Sequence, residues 1–590
     1  MVEVVPPDDG VAIWWDYLYH PLYPRNGIPL KGLRISPYGI AALAIIVLAT
    51  LLRLVLIAQG WPQTNSDEGT IGLMALHIAY RGELPVFFYG QGYMGPFEAY
   101  LGAGLFHLFG PSLFTLRLGL VLIYTCFLVS MYLLTSLLFT KKLALVSLVL
   151  LALGTGNMLT RQLTAIGGYT ETLLFGSLIF LVASWLALSF RPDLAPERRW
   201  RRFMVYGCWG LLVGLGTWTD ILVVPFALMA GLLLIRFCWS ELRRWAGGYL
   251  LLGLILGAFP MIAYNVVVPF DTLAGLWYVH HTVNMAEPIR LPFFLQNILG
   301  TILVSIPIAT GAYPFCSFSD LPLFGQGSPH TLQCTIFQGS WGLGYLALVT
   351  VGIVLAMRRV RNPSVGARFI APLLGWRGAI MDGDKRIGHP LADQSAPTEF
   401  ARLMLLGSAV LTVVLFILSP VSAQTPSGSA RYLIGLLICT PAVIWPLWSG
   451  QNRFKLLLLF IGTIVLAGTL STFSEIPIIQ AGNQQQDALI SNLLRLHATH
   501  IYSDYNTCNR LIFLTREQII CSVLDEHLQP GFDRYLPYRS IVRSDPRAAY
   551  VFREDSAQAI AFAQKIALSE ASYQRFDFEG YVIYQPEQPP

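Results

Sequence analysis

The sequence predicts an α-helical polytopic membrane protein, with about eleven spans, interfacial helices and a small C-terminal α/β domain outside the membrane. Three observations carry that expectation. Apolar residues make up 54% of the 590 and charged residues only 12%, against roughly a quarter in soluble domains. The few charges are clustered, which leaves apolar runs reaching the ~20 residues needed to cross a bilayer core. From residue 498 the pattern changes to short strands alternating with helices. The net charge of +5 is no sign of a nucleic-acid partner, because here the positions of Lys and Arg matter more than their sum.

The spans fall near 38–58, 113–139, 143–160, 172–190, 203–218, 221–237, 246–268, 341–357, 402–419, 431–449 and 456–474. Basic residues set their direction. Lys31 and Arg34 precede the first span, and Lys141 and Lys142 follow the second. Arg191, Arg198, Arg199, Arg201 and Arg202 follow the fourth, and Arg236, Arg243 and Arg244 the sixth. The segment from Arg358 to Arg386 follows the eighth, and Arg453 and Lys455 the tenth. Placing all of them in the cytoplasm satisfies the positive-inside rule. With an odd number of spans the N-terminus is then inside and the C-terminal region outside, as in a multi-pass plasma (inner) membrane protein. Residues 1–35 carry Asp8, Asp9 and Asp16 and lack the basic start of a cleavable signal peptide. Residues 293–312, with Pro292 and Pro307, would break the parity as a span, so they read as an interfacial or re-entrant helix.

Cysteines bear on the same question. Cys126, Cys208, Cys238 and Cys439 lie in apolar runs, where a thiol behaves as a small hydrophobe. Cys316 with Cys334, and Cys508 with Cys521, pair by segment, in parts expected outside where disulfides persist. Four free thiols are the alternative.

The chain divides into a membrane body, 1–474, with a long external loop at 60–112, a linker at 475–497 and an external α/β domain at 498–590. The linker contains Gly482-Asn483-Gln484-Gln485-Gln486, polar and without apolar period. In the domain, His500–Ser503, Gln518–Val523, Ala548–Phe552 and Tyr581–Tyr584 read as strands, and 506–514 and Ser556–Leu568 as helices. Asp504-Tyr505 and Asp533-Arg534-Tyr535 stand out there, with a structural role as the default.

The 60–112 loop is far longer than a turn between two helices requires. It holds two weakly charged helices expected to lie along the membrane surface. The first opens Asn65-Ser66-Asp67-Glu68-Gly69-Thr70. One reading is purely structural: Ser66 or Asp67 caps the helix, and acids favour its positive end. The other is chemical: a partly desolvated carboxylate at a bilayer surface makes a good general base for an acceptor hydroxyl. Residue types alone leave both open.

The surrounding pattern is more specific. Asp67-Glu68-Gly69 is followed by Ala75 and Ile78, Gly82-Glu83-Leu84-Pro85, and a Gly/Tyr/Pro turn from Tyr89 to Pro96. An apolar helix then closes on Phe109-Gly110, with Leu116-Arg117 beyond. This loop resembles that of the GT-C glycosyltransferases, in the branch containing protein O-mannosyltransferases and lipid A aminoarabinose transferases. The resemblance implies transfer of a sugar from a polyprenyl-phosphate donor to an acceptor hydroxyl or phosphate on the external face, with inversion. It implies Asp67 as catalytic base, with Glu68 orienting it or the acceptor. The partners would be membrane lipids, the polyprenyl-phosphate sugar and a glycan, lipid or protein acceptor. No cofactor is required by the sequence, and a need for a divalent metal stays open.

A departing phosphate needs positive charge. Arg431, in Ser427-Gly428-Ser429-Ala430-Arg431-Tyr432, is a lone external cation that can bind phosphate oxygens, against the alternative of snorkelling to headgroups. An Arg431-Tyr432 pair at this place also resembles the family's late external loop. The turn from Arg161 to Glu171 sets an Arg and a Glu on the same face, and the resemblance makes Glu171 a site residue, though it serves equally as a helix cap. Asp220 reads as an N-cap. Tyr93 and Tyr89 could stack on a sugar or anchor the interface. His280 and His281, near Tyr278 and Asn284, are adjacent and so point apart, which is poor geometry for one metal. The rival class is a transporter or flippase, which should place ionisable residues in the middle of its spans and show repeated halves. Here they collect at one face.

Overall fold

The computed structural model describes residues 36–190, 196–275, 292–312, 316, 330–360, 395–568 and 572–587. Lys31, Arg34, Arg191, the 361–386 segment, and His280 and His281 with Tyr278 and Asn284 lie outside the described residues.

Each of the expected spans is helical, but fewer pass as spans on length and hydropathy. Among the described residues nine helices are long and apolar enough to cross a membrane, or ten if one bent pair counts as a span. The first is α1 (Pro37–Ala58); α2 (Ser66–Leu76) and α3 (Phe97–Phe109) belong to the long loop. Then come α4 (Leu113–Leu138), the bent pair α5 (Lys141–Ala152) and α6 (Gly156–Leu163), α7 (Tyr169–Leu188), α8 (Pro196–Thr219), α9 (Val224–Leu242) and α10 (Trp245–Val267).

Two expected spans account for the difference. The 143–160 segment breaks at Leu153-Gly154-Thr155, and α6 turns 85° away from α5. Gly154 permits the turn, and the Thr469 hydroxyl takes over its backbone groups, accepting from its N–H and donating to its C=O, both at 3.0 Å. The break carries Arg161 toward Ser427, to whose carbonyl it donates at 3.0 Å. The other is α8, whose glycines and tryptophans dilute its hydropathy. Those glycines have a packing use: a Cβ at Gly210 or Gly214 would run into the Leu250 or Leu254 carbonyl oxygen, and one at Gly253 or Gly257 into that of Gly207 or Leu211. Small residues on both sides let α8 and α10 pack backbone against backbone.

The 293–312 segment forms α11 (Phe294–Thr310), too short to pass as a span. It carries a π turn at Thr301–Ser305, just ahead of Pro307, and Val304, Ile306 and Ile308 are buried. Next follow α12 (Thr331–Val360), α13 (Ser395–Ile417) and α14 (Pro426–Ser449). The Cys316–Cys334 disulfide ties the segment after α11 to the start of α12.

The last membrane helix, α15, corrects the expected linker. It runs unbroken from Asn452 to Arg495, so residues 475–495 of the expected linker are its distal half and not an unpatterned tether. The helix continues through Pro477 and Gly482, and Leu489 and Leu493 are buried in the core of the C-terminal domain.

That domain comprises β1 (His500–Ser503), α16 (Tyr505–Leu514), β2 (Ile520–Val523), α17 (Pro537–Ser544), β3 (Ala549–Arg553), α18 (Ala557–Ala567), β4 (Tyr573–Phe578) and β5 (Tyr581–Pro586). The strand order is β2-β1-β3-β5-β4. β1 pairs in parallel with β2 and β3, whereas β5 runs antiparallel between β3 and β4. The Cys508–Cys521 disulfide fastens α16 to β2. The sequence pattern missed α17 and the edge strand β4, whose central residues are largely exposed and so carry weak apolar alternation.

The loop helix α2 is not at a surface. Nearly all its residues are buried, and Leu73 belongs to the core of the C-terminal domain. A Cβ at Gly69 would strike the Asn509 backbone, and one at Gly72 the Phe513 ring. Its low charge, read in the sequence as fitness for a membrane interface, reflects cover by α3 on one side and α16 on the other.

Candidate active site

The site begins with the cap of α2. Asn65 performs it, its Oδ1 accepting the Glu68 N–H at 2.9 Å, so neither Ser66 nor Asp67 serves that purpose. Ser66 Oγ instead donates to the Tyr505 carbonyl at 3.0 Å and accepts from Asn509 Nδ2 at 2.6 Å, stitching the helix start to α16.

Asp67 and Glu68, one residue apart on a helix, point roughly 100° from one another. Glu68 is fully buried. Its oxygens accept from Arg117 Nε at 2.9 Å and Nη2 at 2.7 Å, and from the Ala165 N–H at 3.1 Å. That arrangement corrects the role expected of Glu68. It makes no hydrogen bond to Asp67 among the described residues and ties α2 to α4 and to the turn between α6 and α7.

Asp67 faces the other way and keeps 32% of its side chain exposed. Its Oδ1 accepts from Arg534 Nη2 at 2.8 Å and from the Tyr505 hydroxyl at 3.0 Å. Among the described residues no hydrogen bond reaches Oδ2.

Opposite stands Arg431, at the start of a 3-10 stretch, Ala430–Cys439, inside α14. Its guanidinium lies over the rings of Tyr432 at 5.2 Å and Tyr169 at 5.8 Å. Nη2 meets the Tyr432 hydroxyl at 3.3 Å, while the buried Nε has no hydrogen-bond partner among the described residues. Asp67 and Asp220 are both within its electrostatic range. Arg161, on α6 beyond the break, is a second cation within range of Arg431 and donates to the Ser427 carbonyl at 3.0 Å.

Tyr93 completes the ring. Burial pushes its phenol up to about 12, Tyr432 adding to the effect while Arg534 and Arg431 oppose it. The structure thus brings Asp67, Tyr93 and Tyr432 together around Arg431. Tyr89 is turned elsewhere, its hydroxyl donating to Glu83 at 2.7 Å and pairing with His77 at 2.8 Å.

Glu171 sits deeper, fully buried at the start of α7 beside Glu98. Glu98 Oε2 accepts from the Gly167 N–H at 3.0 Å. Burial, and then the neighbouring Glu171, hold the Glu98 carboxyl well above the ordinary range. Asp220 caps the next turn, accepting the Leu222 N–H at 2.9 Å; burial raises it to about 6 against the pull of that N–H and of Arg431. Among the described residues no group of three or more His, Cys, Asp or Glu has the geometry to hold a metal ion.

Beyond Arg431, α14 borders apolar space. In a 3-10 turn residues three apart share a face, so Arg431, Ile434 and Leu437 line up. Ile434 and Leu437, with Met158 and Arg161, line a small void, and Leu437 and Met158 also line a cavity of about 540 Å³ between α5, α12, α14 and α15. Trp341, Tyr345 and Val465 are among its walls, and its surface is almost wholly apolar.

No family model matches the sequence, and no curated protein does. Solved structures do show a likeness. The oligosaccharyltransferase AglB from Archaeoglobus fulgidus, tethered with an acceptor peptide, is 13% identical with a TM-score of 0.46, over 93% of this chain and 74% of its own. ArnT from Cupriavidus metallidurans, bound to undecaprenyl phosphate, is 12% identical with a TM-score of 0.45, over 93% of this chain and 98% of its own. AglB in complex with an inhibitory peptide and a dolichol-phosphate is 14% identical with a TM-score of 0.41. At these scores the likeness stands as an observation, and the reading of the site rests on its own geometry.

Arg534 and Tyr505 are the site residues that sequence reasoning set aside. They lie 467 and 438 positions from Asp67, and no local pattern announces such a pairing.

Proposed function

We propose that this chain is a membrane glycosyltransferase of the GT-C type, moving a sugar from a polyprenyl-phosphate donor to an acceptor hydroxyl or phosphate. One observation carries the reading: Asp67, relieved of capping duty, lies within electrostatic range of Arg431, whose buried Nε has no hydrogen-bond partner among the described residues, and Leu437, two 3-10 turns further along α14, lines an apolar cavity. The cavity suits a prenyl chain, Arg431 and Arg161 suit its phosphate, and Asp67 Oδ2 suits the acceptor proton.

The chemistry is a displacement at the anomeric carbon. The acceptor oxygen forms the new bond to that carbon as its proton passes to Asp67. The bond from the carbon to the phosphate oxygen breaks, and its electron pair leaves with the lipid phosphate, where the guanidinium groups meet the charge. Attack opposite the leaving group inverts the centre. We assign the reaction to the external face of the plasma membrane, a reading that the distribution of Lys and Arg supports.

Asp67→Asn tests the reading. Membranes from a strain lacking the chain supply donor and acceptor, and free polyprenyl phosphate is the measured product. The expected loss is ~100-fold or more. Undiminished release by well-expressed Asp67→Asn protein would end the proposal.

A further inference from the structure

The C-terminal domain does more than pack against the loop helix. Arg534 reaches out of the segment between β2 and α17 with only 8% of its side chain exposed. Its guanidinium lies over Phe88 of the loop at 4.5 Å and over Phe532 at 5.0 Å. Its Nη2 donates to Asp67 Oδ1 at 2.8 Å and its Nε to the Tyr505 hydroxyl at 2.7 Å. That hydroxyl in turn donates to the same Oδ1 at 3.0 Å. The three side chains form a closed triangle. Every contact in it joins the domain to the loop or braces a group that does.

The triangle is asymmetric about the carboxylate. Both donors fall on Oδ1, and no hydrogen bond from the described residues reaches Oδ2. The groups facing Asp67 are Arg534 and Tyr505 from the domain and Arg431 from α14; Glu68 is turned away onto Arg117. A carboxylate fixed through one oxygen loses its rotation while the other oxygen keeps a lone pair for a proton. Such fixing lets a base act from one geometry rather than an ensemble, and misplacements of an ångström are costly in rate. Two aromatic faces hold the guanidinium, so the fixing group is itself fixed.

We propose that Arg534, with Tyr505, is a positioning residue that holds Asp67 for proton transfer, so that the C-terminal domain completes the active site. The inference rests on Asp67 acting as the base. The positioning pair acts on the base and leaves the lipid donor to Arg431 and Arg161. It therefore sets kcat, while the donor KM stays where it is.

The test uses the full chain in lipid nanodiscs, with lipid extract from a strain lacking the chain as the source of donor and acceptor. Release of polyprenyl phosphate is measured against extract concentration, and binding of undecaprenyl phosphate is measured separately. Arg534→Ala is expected to lower kcat roughly 100-fold with KM and undecaprenyl phosphate binding unchanged. Arg534→Lys, which keeps the charge, recovers a large part of the loss, and Tyr505→Phe costs about fivefold. Unchanged kcat in Arg534→Ala overturns the inference, as does a rise in rate, which would make the pair a lock. Loss of undecaprenyl phosphate binding also overturns it, since Arg534 would then serve the donor or the fold. If Asp67→Asn is inactive while Arg534→Ala is normal, the inference alone fails. Activity retained in Asp67→Asn fails the reading of Asp67 itself.

Discussion

The two faces of α2 treat adjacent carboxylates in opposite ways. On one face Glu68 is sealed from water with both oxygens committed to Arg117 and a backbone N–H. On the other, Asp67 is a third exposed and committed through one oxygen only. The first arrangement maximises pairing and leaves nothing for a substrate. The second leaves an acceptor atom free within electrostatic range of Arg431, whose Nε has no hydrogen-bond partner among the described residues. Two acids in a row are therefore no measure of a catalytic pair; their partners decide which of them has chemistry to offer.

The sharpest way to break this comparison is Glu68→Ala, which strands the Arg117 charge in a buried site. The expected cost is about 3–5 kcal/mol, read as a lowered thermal midpoint of the purified protein. Asp67→Asn should leave that midpoint near the parent's while abolishing transfer, so a matching fall in both variants would erase the distinction between the faces. Opening the Cys508–Cys521 loop with Cys508→Ser and Cys521→Ser should cost about 3 kcal/mol, seen as earlier proteolysis of the C-terminal domain. Arg431→Gln should weaken undecaprenyl phosphate binding about tenfold, and Arg431→Lys less, since an ammonium keeps the charge and loses the fork.

The smallest effect concerns Glu98. Its folded-state carboxyl is raised, so the folded protein binds more protons there than the unfolded chain. The stability it contributes is present below the ordinary carboxylate range and is lost as pH rises through the raised value. Glu98→Gln, a mimic of the protonated form, should flatten the decline of thermal midpoint with rising pH. An unchanged slope would show that the group does not titrate this way.

How much of this was legible in the sequence depends on range. Apolar runs marked every spanning segment because hydropathy is local, and short strands in the C-terminal domain showed for the same reason. The break at Gly154 was invisible because it depends on Thr469, 315 positions away. The burial of α2 was hidden because a helix covered by protein and one lying in lipid share the same low charge. Asp67, Tyr93, Arg431 and Tyr432 could be named one by one. Their convergence could not, and Arg534 could not be placed at all, because its partner is fixed by how a domain docks rather than by any spacing.

One feature of the membrane body bears on that docking. At 1.5 Å per residue the 44 residues of α15 make a rod of about 66 Å, more than twice the thickness of a hydrocarbon core. Its lower half is anchored among the spans and its upper half enters the domain core, so the elevation and azimuth of Arg534 are transmitted mechanically along a single shaft. Adding two residues within Gly482–Gln486 would turn whatever lies beyond by roughly 200°. The domain would still be attached and still folded, yet facing the wrong way.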